Sequence, residues 1–323
     1  NDISLASVSS IVINGHGCRF PGDTVNFTAN WQLQSNANNR YNVGLWFNTT
    51  GGTSALHGTC SATSLPSSPS PFTDSGTGSV CGGIDNSGPG TISITQTATC
   101  NPDSSGFLKL PYCTSWQQNK NNACTTPTDT VPGAPSKCNC QDGFTIPITV
   151  PPAIEVIKNL IPASDSGKFN LLVNGNATAS GTNVGNGGTT GKIGVATGQN
   201  TFGETGNNTS LSDYTSSASC VLRGTQTAVA TTKNGNTWTI ANVTNGQDIV
   251  CTITNTRIYN GSITIIKDAQ PNDSQDFSFT TTGSGLSSFN LDDDGDNTLS
   301  NTKLFSNLAS GTYSVSEGVV SGW

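Results

Sequence analysis

One recurring pattern constrains the fold more than any other feature. Glu155-Val-Ile-Lys158, followed by Pro162 and Phe169, returns as Thr264-Ile-Ile-Lys267, Pro271 and Phe277. Lys158 to Lys267 and Pro162 to Pro271 are both displaced by 109 residues, and Phe169 to Phe277 by 108. Gly198-Gln-Asn-Thr-Phe-Gly-Glu204 matches Gly311-Thr-Tyr-Ser-Val-Ser-Glu317 in the same way. A period of roughly 110 residues is one folding unit repeated along a chain. We therefore expect domains over 1–152, 153–258 and 259–323. The third stops at Trp323, before any counterpart of the segments around Cys220 and Cys251. The expectation is a piece of a longer protein, or a last domain completed by a neighbour.

Each unit is predicted to be built of strands. No segment keeps apolar residues at helical spacing over three turns, and Gly, Asn, Ser and Thr punctuate the chain at short intervals. Short alternating runs are common, among them Thr91-Ile-Ser-Ile-Thr, Thr237-Trp-Thr-Ile-Ala and Ser262-Ile-Thr-Ile-Ile. Thr and β-branched residues suit half-buried pleated surfaces. The expected fold class is all-β: tandem β-sandwiches of immunoglobulin-like or prealbumin-like form, stabilised by disulfides.

The charge balance removes several function classes. Charged residues are 10% of the chain, against roughly 25% in an average globular protein. The 13 Lys and Arg are scattered singly, so no basic stripe exists to neutralise phosphates, and nucleic acid is excluded as a partner. No apolar run approaches the roughly 20 residues of a membrane helix. The chain lacks Met and opens without a signal-peptide pattern, which suggests a processed, secreted segment.

Ten cysteines point to an oxidising compartment. Cys18, Cys60, Cys81, Cys100, Cys113, Cys124, Cys138 and Cys140 lie in the first 150 residues, and Cys220 and Cys251 lie in the middle of the chain. No C-x-x-C pair occurs and His16 and His57 are the only histidines, so zinc is disfavoured. Disulfides are expected throughout. The eight N-terminal cysteines allow on the order of a hundred pairings, and their order stays open. Cys220 and Cys251 are left to each other by isolation.

The second and third segments resemble the prealbumin-like, Cna B-type immunoglobulin-like repeats of bacterial surface proteins. The residues that carry the resemblance are Ile154-Glu-Val-Ile-Lys158, Gly203-Glu204-Thr205, Asp213-Tyr-Thr-Ser-Ser, Cys251-Thr-Ile-Thr-Asn255-Thr, Ile265-Ile-Lys267-Asp and Gly311-Thr-Tyr-Ser-Val-Ser-Glu317. Residues 1–152 resemble the Cys-rich N-terminal region of such proteins, through Gly17-Cys18-Arg-Phe-Pro-Gly-Asp-Thr-Val and Pro135-Ser-Lys-Cys138-Asn-Cys140. The resemblance implies an extracellular stalk, fibre or adhesin rather than an enzyme.

Strand alternation adds a chemical expectation. Lys158 shares a face with Ile154 and Val156, Glu204 with Phe202, and Asn255 with Ile249, Cys251 and Ile253. A Lys, a Glu and an Asn on apolar faces must meet or change ionisation, because burying a lone charge is costly. A desolvated Lys is a nucleophile and a protonated Glu can relay protons. The resemblance implies the product, a Lys158–Asn255 isopeptide bond with Glu204 as proton carrier. Lys267 and Glu317 form a second, partial set that lacks its Asn. An ordinary Lys–Glu pair beside an intact amide is the competing reading.

Other patterns are weaker. Asn290, Asp292 and Asp294, with Gly295 and Asp296, fit the start of a calcium loop, although a solvated hairpin turn reads as well. Otherwise no cofactor is expected. Sequons occur at Asn26, Asn48, Asn176, Asn207, Asn208, Asn242, Asn260 and Asn272. Trp31, Trp46, Trp116 and Trp238 suit a sugar-binding face or, better, core anchors. The functional expectation is a structural subunit of an extracellular fibre or stalk, self-associating or joined to neighbouring domains and completed by strand addition. The alternative is a surface adhesin whose Cys-rich domain binds a glycan or protein receptor.

Overall fold

The computed structural model describes residues 2–49, 60–120, 124–130, 137–294 and 298–323. Among them nearly every regular element is a strand, interrupted by two short 3-10 turns at 127–130 and 211–213. Alternation is the cause. In Gly90–Thr99, Ile92, Ile94 and Ala98 point inward while Thr91, Ser93, Thr95 and Thr97 face solvent.

Residues 3–150 contribute nine strands: β1 (Ile3–Ile13), β2 (Thr24–Ser35), β3 (Asn39–Asn48), β4 (Cys60–Ser64), β5 (Phe72–Thr73), β6 (Gly83–Asp85), β7 (Gly90–Thr99), β8 (Phe107–Gln117) and β9 (Lys137–Thr149). A three-stranded sheet runs β1-β2-β7. A six-stranded sheet runs β5-β6-β3-β8-β9, with β4 also on β3. Between them lies a core centred on Trp31, whose ring is 4.6 Å from Phe47 and 6.1 Å from Phe144. Full burial of each large apolar side chain is worth about 1.5–3 kcal/mol, so this aromatic centre holds the two sheets together.

The next segment folds as two five-stranded sheets. Its strands are β10 (Ala153–Ile161), β11 (Phe169–Val173), β12 (Asn176–Ala177), β13 (Ile193–Gly194), β14 (Gly198–Gly206), β15 (Tyr214–Leu222), β16 (Ala228–Val229), β17 (Thr232–Asn234), β18 (Thr237–Val243) and β19 (Asp248–Arg257). The sheet orders are β13-β10-β19-β15-β16 and β12-β11-β14-β18-β17. β10 and β19, the first and last strands, pair in parallel from Ala153↔Asp248 to Ile161↔Thr256. The core between the sheets stacks Phe202 on Trp238, ring centroids 5.7 Å apart.

The last segment is smaller. β20 (Gly261–Ile266) pairs with β23 (Thr302–Leu308), while β21 (Phe277–Thr282) lies between β22 (Phe289–Leu291) and β24 (Ser314–Glu317). Its buried cluster is Ala269, Phe277, Phe279 and Leu291. The chain is therefore all-β, as its alternation predicts. Among the described residues no helix is long and apolar enough to cross a membrane.

Among the described residues four disulfides form: Cys18–Cys100, Cys81–Cys124, Cys113–Cys140 and Cys220–Cys251. The last joins directly opposed residues of β15 and β19. The expected pairing of all ten cysteines needs a correction at Cys138, which is an exposed free thiol. The reason is topological. Cys60 begins β4, and β3 and β8 separate that strand from Cys138 on β9. Three steps at about 4.8 Å each place their backbones roughly 14 Å apart, beyond the roughly 7 Å between Cα atoms that a disulfide spans. The side chain of Cys60 lies outside the described residues. Alkylation of the native protein followed by peptide mapping should label Cys138 and leave Cys220 and Cys251 unlabelled. An unreactive Cys138 would contradict this map.

Candidate functional site

The inward residues of β10 are Ile154, Val156 and then Lys158, so a cation follows two aliphatic side chains into the core. Its Nζ lies 2.6 Å from Glu204 Oε2, and both side chains are 0% exposed. Glu204 enters from the facing sheet, on β14 opposite Leu171. The Ser216 hydroxyl donates to Glu204 Oε1 at 3.5 Å. The Phe169 ring supports the ammonium, 4.3 Å from Nζ to the ring centroid, which adds a cation–π contact. Burial pushes the Lys158 pKa below its ordinary value, with the Glu204 carboxylate opposing that shift.

Asn255 completes the set. It lies on β19 between Leu160 of β10 and Ser216 of β15, two residues beyond Ile253, the register partner of Lys158. Asn255 is fully buried, and neither Nδ2 nor Oδ1 has a hydrogen-bond partner among the described residues. An amide left unpaired in a core costs about 1–3 kcal/mol. One buried face thus holds an amine whose pKa is lowered by burial, a carboxyl group and an unengaged carboxamide. Strand alternation indicated these three residues. It gave no sign of Phe169 or Ser216 as their neighbours, because those contacts come from the opposite sheet and an adjoining strand.

The third segment repeats part of the arrangement at the surface. Lys267 Nζ is 2.9 Å from Glu317 Oε1 and 3.8 Å from the Phe277 ring centroid. Here the side chains are 14% and 42% exposed, so Glu317 is not on a buried face. A cavity of about 360 Å³ adjoins them, lined by Phe277, Val320 and Trp323.

The remaining sequence candidates are dispersed or structural. Among the described residues no group of three metal-ligating side chains converges. Asp292 is buried and accepts from Thr298, Asp293 accepts from the Ala269 amide, and Asn290 is exposed on β22; Gly295 and Asp296 lie outside the described residues. Trp31, Trp116 and Trp238 are buried, and half-buried Trp46 donates to Ser115 Oγ, so these rings serve the cores. His16 is exposed beside the Gly17 carbonyl, and His57 lies outside the described residues.

Residues 163–257 match the family model described as the prealbumin-like fold domain. The resemblance expected for this stretch therefore holds: the matched residues have a prealbumin-like fold and include Glu204 and Asn255, while Lys158 lies five residues before them. Among solved structures, the chain is similar to a bacterial adhesin from Mobiluncus mulieris containing intramolecular disulfide, isopeptide and ester bond cross-links. That similarity has 10% identity and a TM-score of 0.25, over 80% of this chain and 100% of that one. It is also similar to the Bacillus anthracis TIE protein, with 12% identity and a TM-score of 0.26, over 98% of this chain and 52%, about half, of the other. A search of curated proteins returns no match.

Replacing Glu204 by Ala strands Lys158 in the core. Breaking a buried pair from one side typically costs about 3–5 kcal/mol. Urea unfolding followed by Trp238 fluorescence should show a loss of that size for Glu204→Ala, and a loss within experimental error would contradict the buried pairing.

Proposed function

We propose that this protein is a bacterial surface protein of structural or adhesive kind, exported to an oxidising exterior, and that its three segments are consecutive domains bounded at 152 and 258. The prealbumin-like match and the four disulfides support that reading. No residue set in it is assigned to catalysis on a substrate.

The observation that carries the proposal furthest is the buried Lys158–Glu204 pair beside the unpartnered Asn255 amide. In its neutral form the Lys158 amine attacks Asn255 Cγ. Glu204 protonates the leaving nitrogen and takes up the proton released by the amine. The C–Nδ2 bond breaks, one ammonia departs, and a Lys158–Asn255 amide remains; no oxidant or reductant is needed. Crosslinks of this kind and disulfides limit the freedom of the unfolded chain, which suits a stalk under load. Intact mass under reducing conditions should fall short of the sequence mass by one ammonia, and Asn255→Ala should abolish the deficit. A full-mass wild-type chain would end the crosslink reading.

Fibre assembly is the finer part of the proposal. β10 lies between β13 and β19, whereas β20, its counterpart in the repeat, pairs with β23 alone among the described strands. An added strand on the open side of β20 would complete the sheet, with main-chain hydrogen bonds providing the affinity. Electron microscopy of the purified protein should show filaments. Uniformly single particles at high concentration would remove self-assembly and leave the crosslinked stalk.

A further inference from the structure

We propose that the first two domains are locked into one rigid strut, and that the chain bends between the second and third. Motion between domains is the ordinary expectation unless the interface is well built. Here the two junctions differ in construction.

The first junction is buried and bonded from both sides. Val150 and Ala153 are inaccessible to solvent. The Val150 amide donates to the Gly106 carbonyl at 2.9 Å, in the first domain. The Gly246 amide donates back to the Val150 carbonyl at 2.8 Å, from the second. The Val195 amide bonds the Pro152 carbonyl at 2.9 Å, and the Ala153 amide bonds that of Gln247 at 2.8 Å. The linker therefore has few free polar groups about which to pivot.

Three glycines let the two domains touch backbone to backbone. A Cβ on Gly106 would lie 2.4 Å from Asn245 Cβ, and one on Gly246 would lie 2.8 Å from Pro102 Cβ. Both glycines hold φ at +79°, a region that other residues rarely adopt. A Cβ on Gly194 would lie 2.4 Å from the Arg19 carbonyl oxygen. Contacts this close are compatible with one relative orientation and few others.

A charged clamp lies beside these contacts, since Asp248 is the register partner of Ala153. Lys192 Nζ donates to the Pro21 carbonyl at 2.9 Å while lying 2.6 Å from Asp248 Oδ2. Asp248 Oδ1 also accepts from Arg223 Nε at 3.1 Å, and Arg223 pairs in turn with Glu155. The loop that Lys192 grips is itself fixed. The Cys18–Cys100 bridge anchors it, Arg19 makes two 2.9 Å bonds to the Asp23 carboxylate, and the Gly22 amide bonds the Cys100 carbonyl.

Among the described residues the second junction shows no such set of bonds. Ile258 is 41% and Tyr259 64% exposed, and Asn260 and Gly261 are exposed beside them. The Ile258 amide bonds back to Asp213 in the second domain, while the Asn260 side chain bonds Asn307 in the third. The chain passes from one domain's bonds to the other's at Tyr259.

Residual dipolar couplings on the full chain test the inference. One alignment tensor should fit residues 2–150 and 153–257 together, and a second should be required for 261–323. Separate tensors for the first two domains, or a common tensor for all three, would overturn it. In the Gly106→Val, Gly194→Leu double variant the common tensor should be lost while each domain keeps its dispersed amide spectrum. A variant that folds and retains the common tensor would also overturn the account of the junction. If the variant does not fold, the wild-type tensors still decide.

Discussion

A charge pair sealed in an apolar core governs how the second domain is put together. Lys158 and Glu204 come from different sheets, and each would be prohibitive to bury alone. Their contact therefore fixes how β10 and β14 face each other. Asn255 reaches the same face because β19 runs parallel to β10, which brings the last strand of the domain back beside the first. A neighbouring bridge, Cys220–Cys251, ties β19 to β15 on its other side. The strand that carries the carboxamide is thus held on both flanks.

This arrangement suits a domain loaded from its ends. β10 follows directly on the largely buried residues 150–152, and β19 leads out toward residues 258–261. Tension applied along the chain enters on one of these strands and leaves on the other. Because the two are adjacent and parallel, a covalent Lys158–Asn255 tie would route the load past the rest of the sandwich. The Lys192, Asp248, Arg223 and Glu155 network lies at the opening end of this strand pair, where Ala153 faces Asp248, and Lys192 also donates to the Pro21 carbonyl.

Much of the fold was legible in the sequence because period-two alternation is a local signal. The inward sets Ile154, Val156, Lys158 and Ile249, Cys251, Ile253, Asn255 follow from it directly, and Cys220 and Cys251 had no other partners nearby. The N-terminal disulfides were not legible. Cys113 meets Cys140 because β8 and β9 are antiparallel neighbours, and Cys138 stays free because β3 and β8 intervene between it and Cys60. Strand order decides these outcomes, and no local pattern encodes it. The junction was hidden for the same reason: Gly194 against Arg19 and Gly106 against Asn245 are long-range contacts between residues that look like ordinary turn glycines. The surface position of Glu317 was likewise beyond alternation, since periodicity assigns a face but not what covers it.

A high-resolution crystal structure of the second domain within the intact chain tests the central claim most directly. Continuous planar amide density joining Lys158 Nζ to Asn255 Cγ, with Glu204 hydrogen-bonded to it, is the predicted result. A separate lysine side chain and an intact asparagine amide, each with its own closed density, would contradict it.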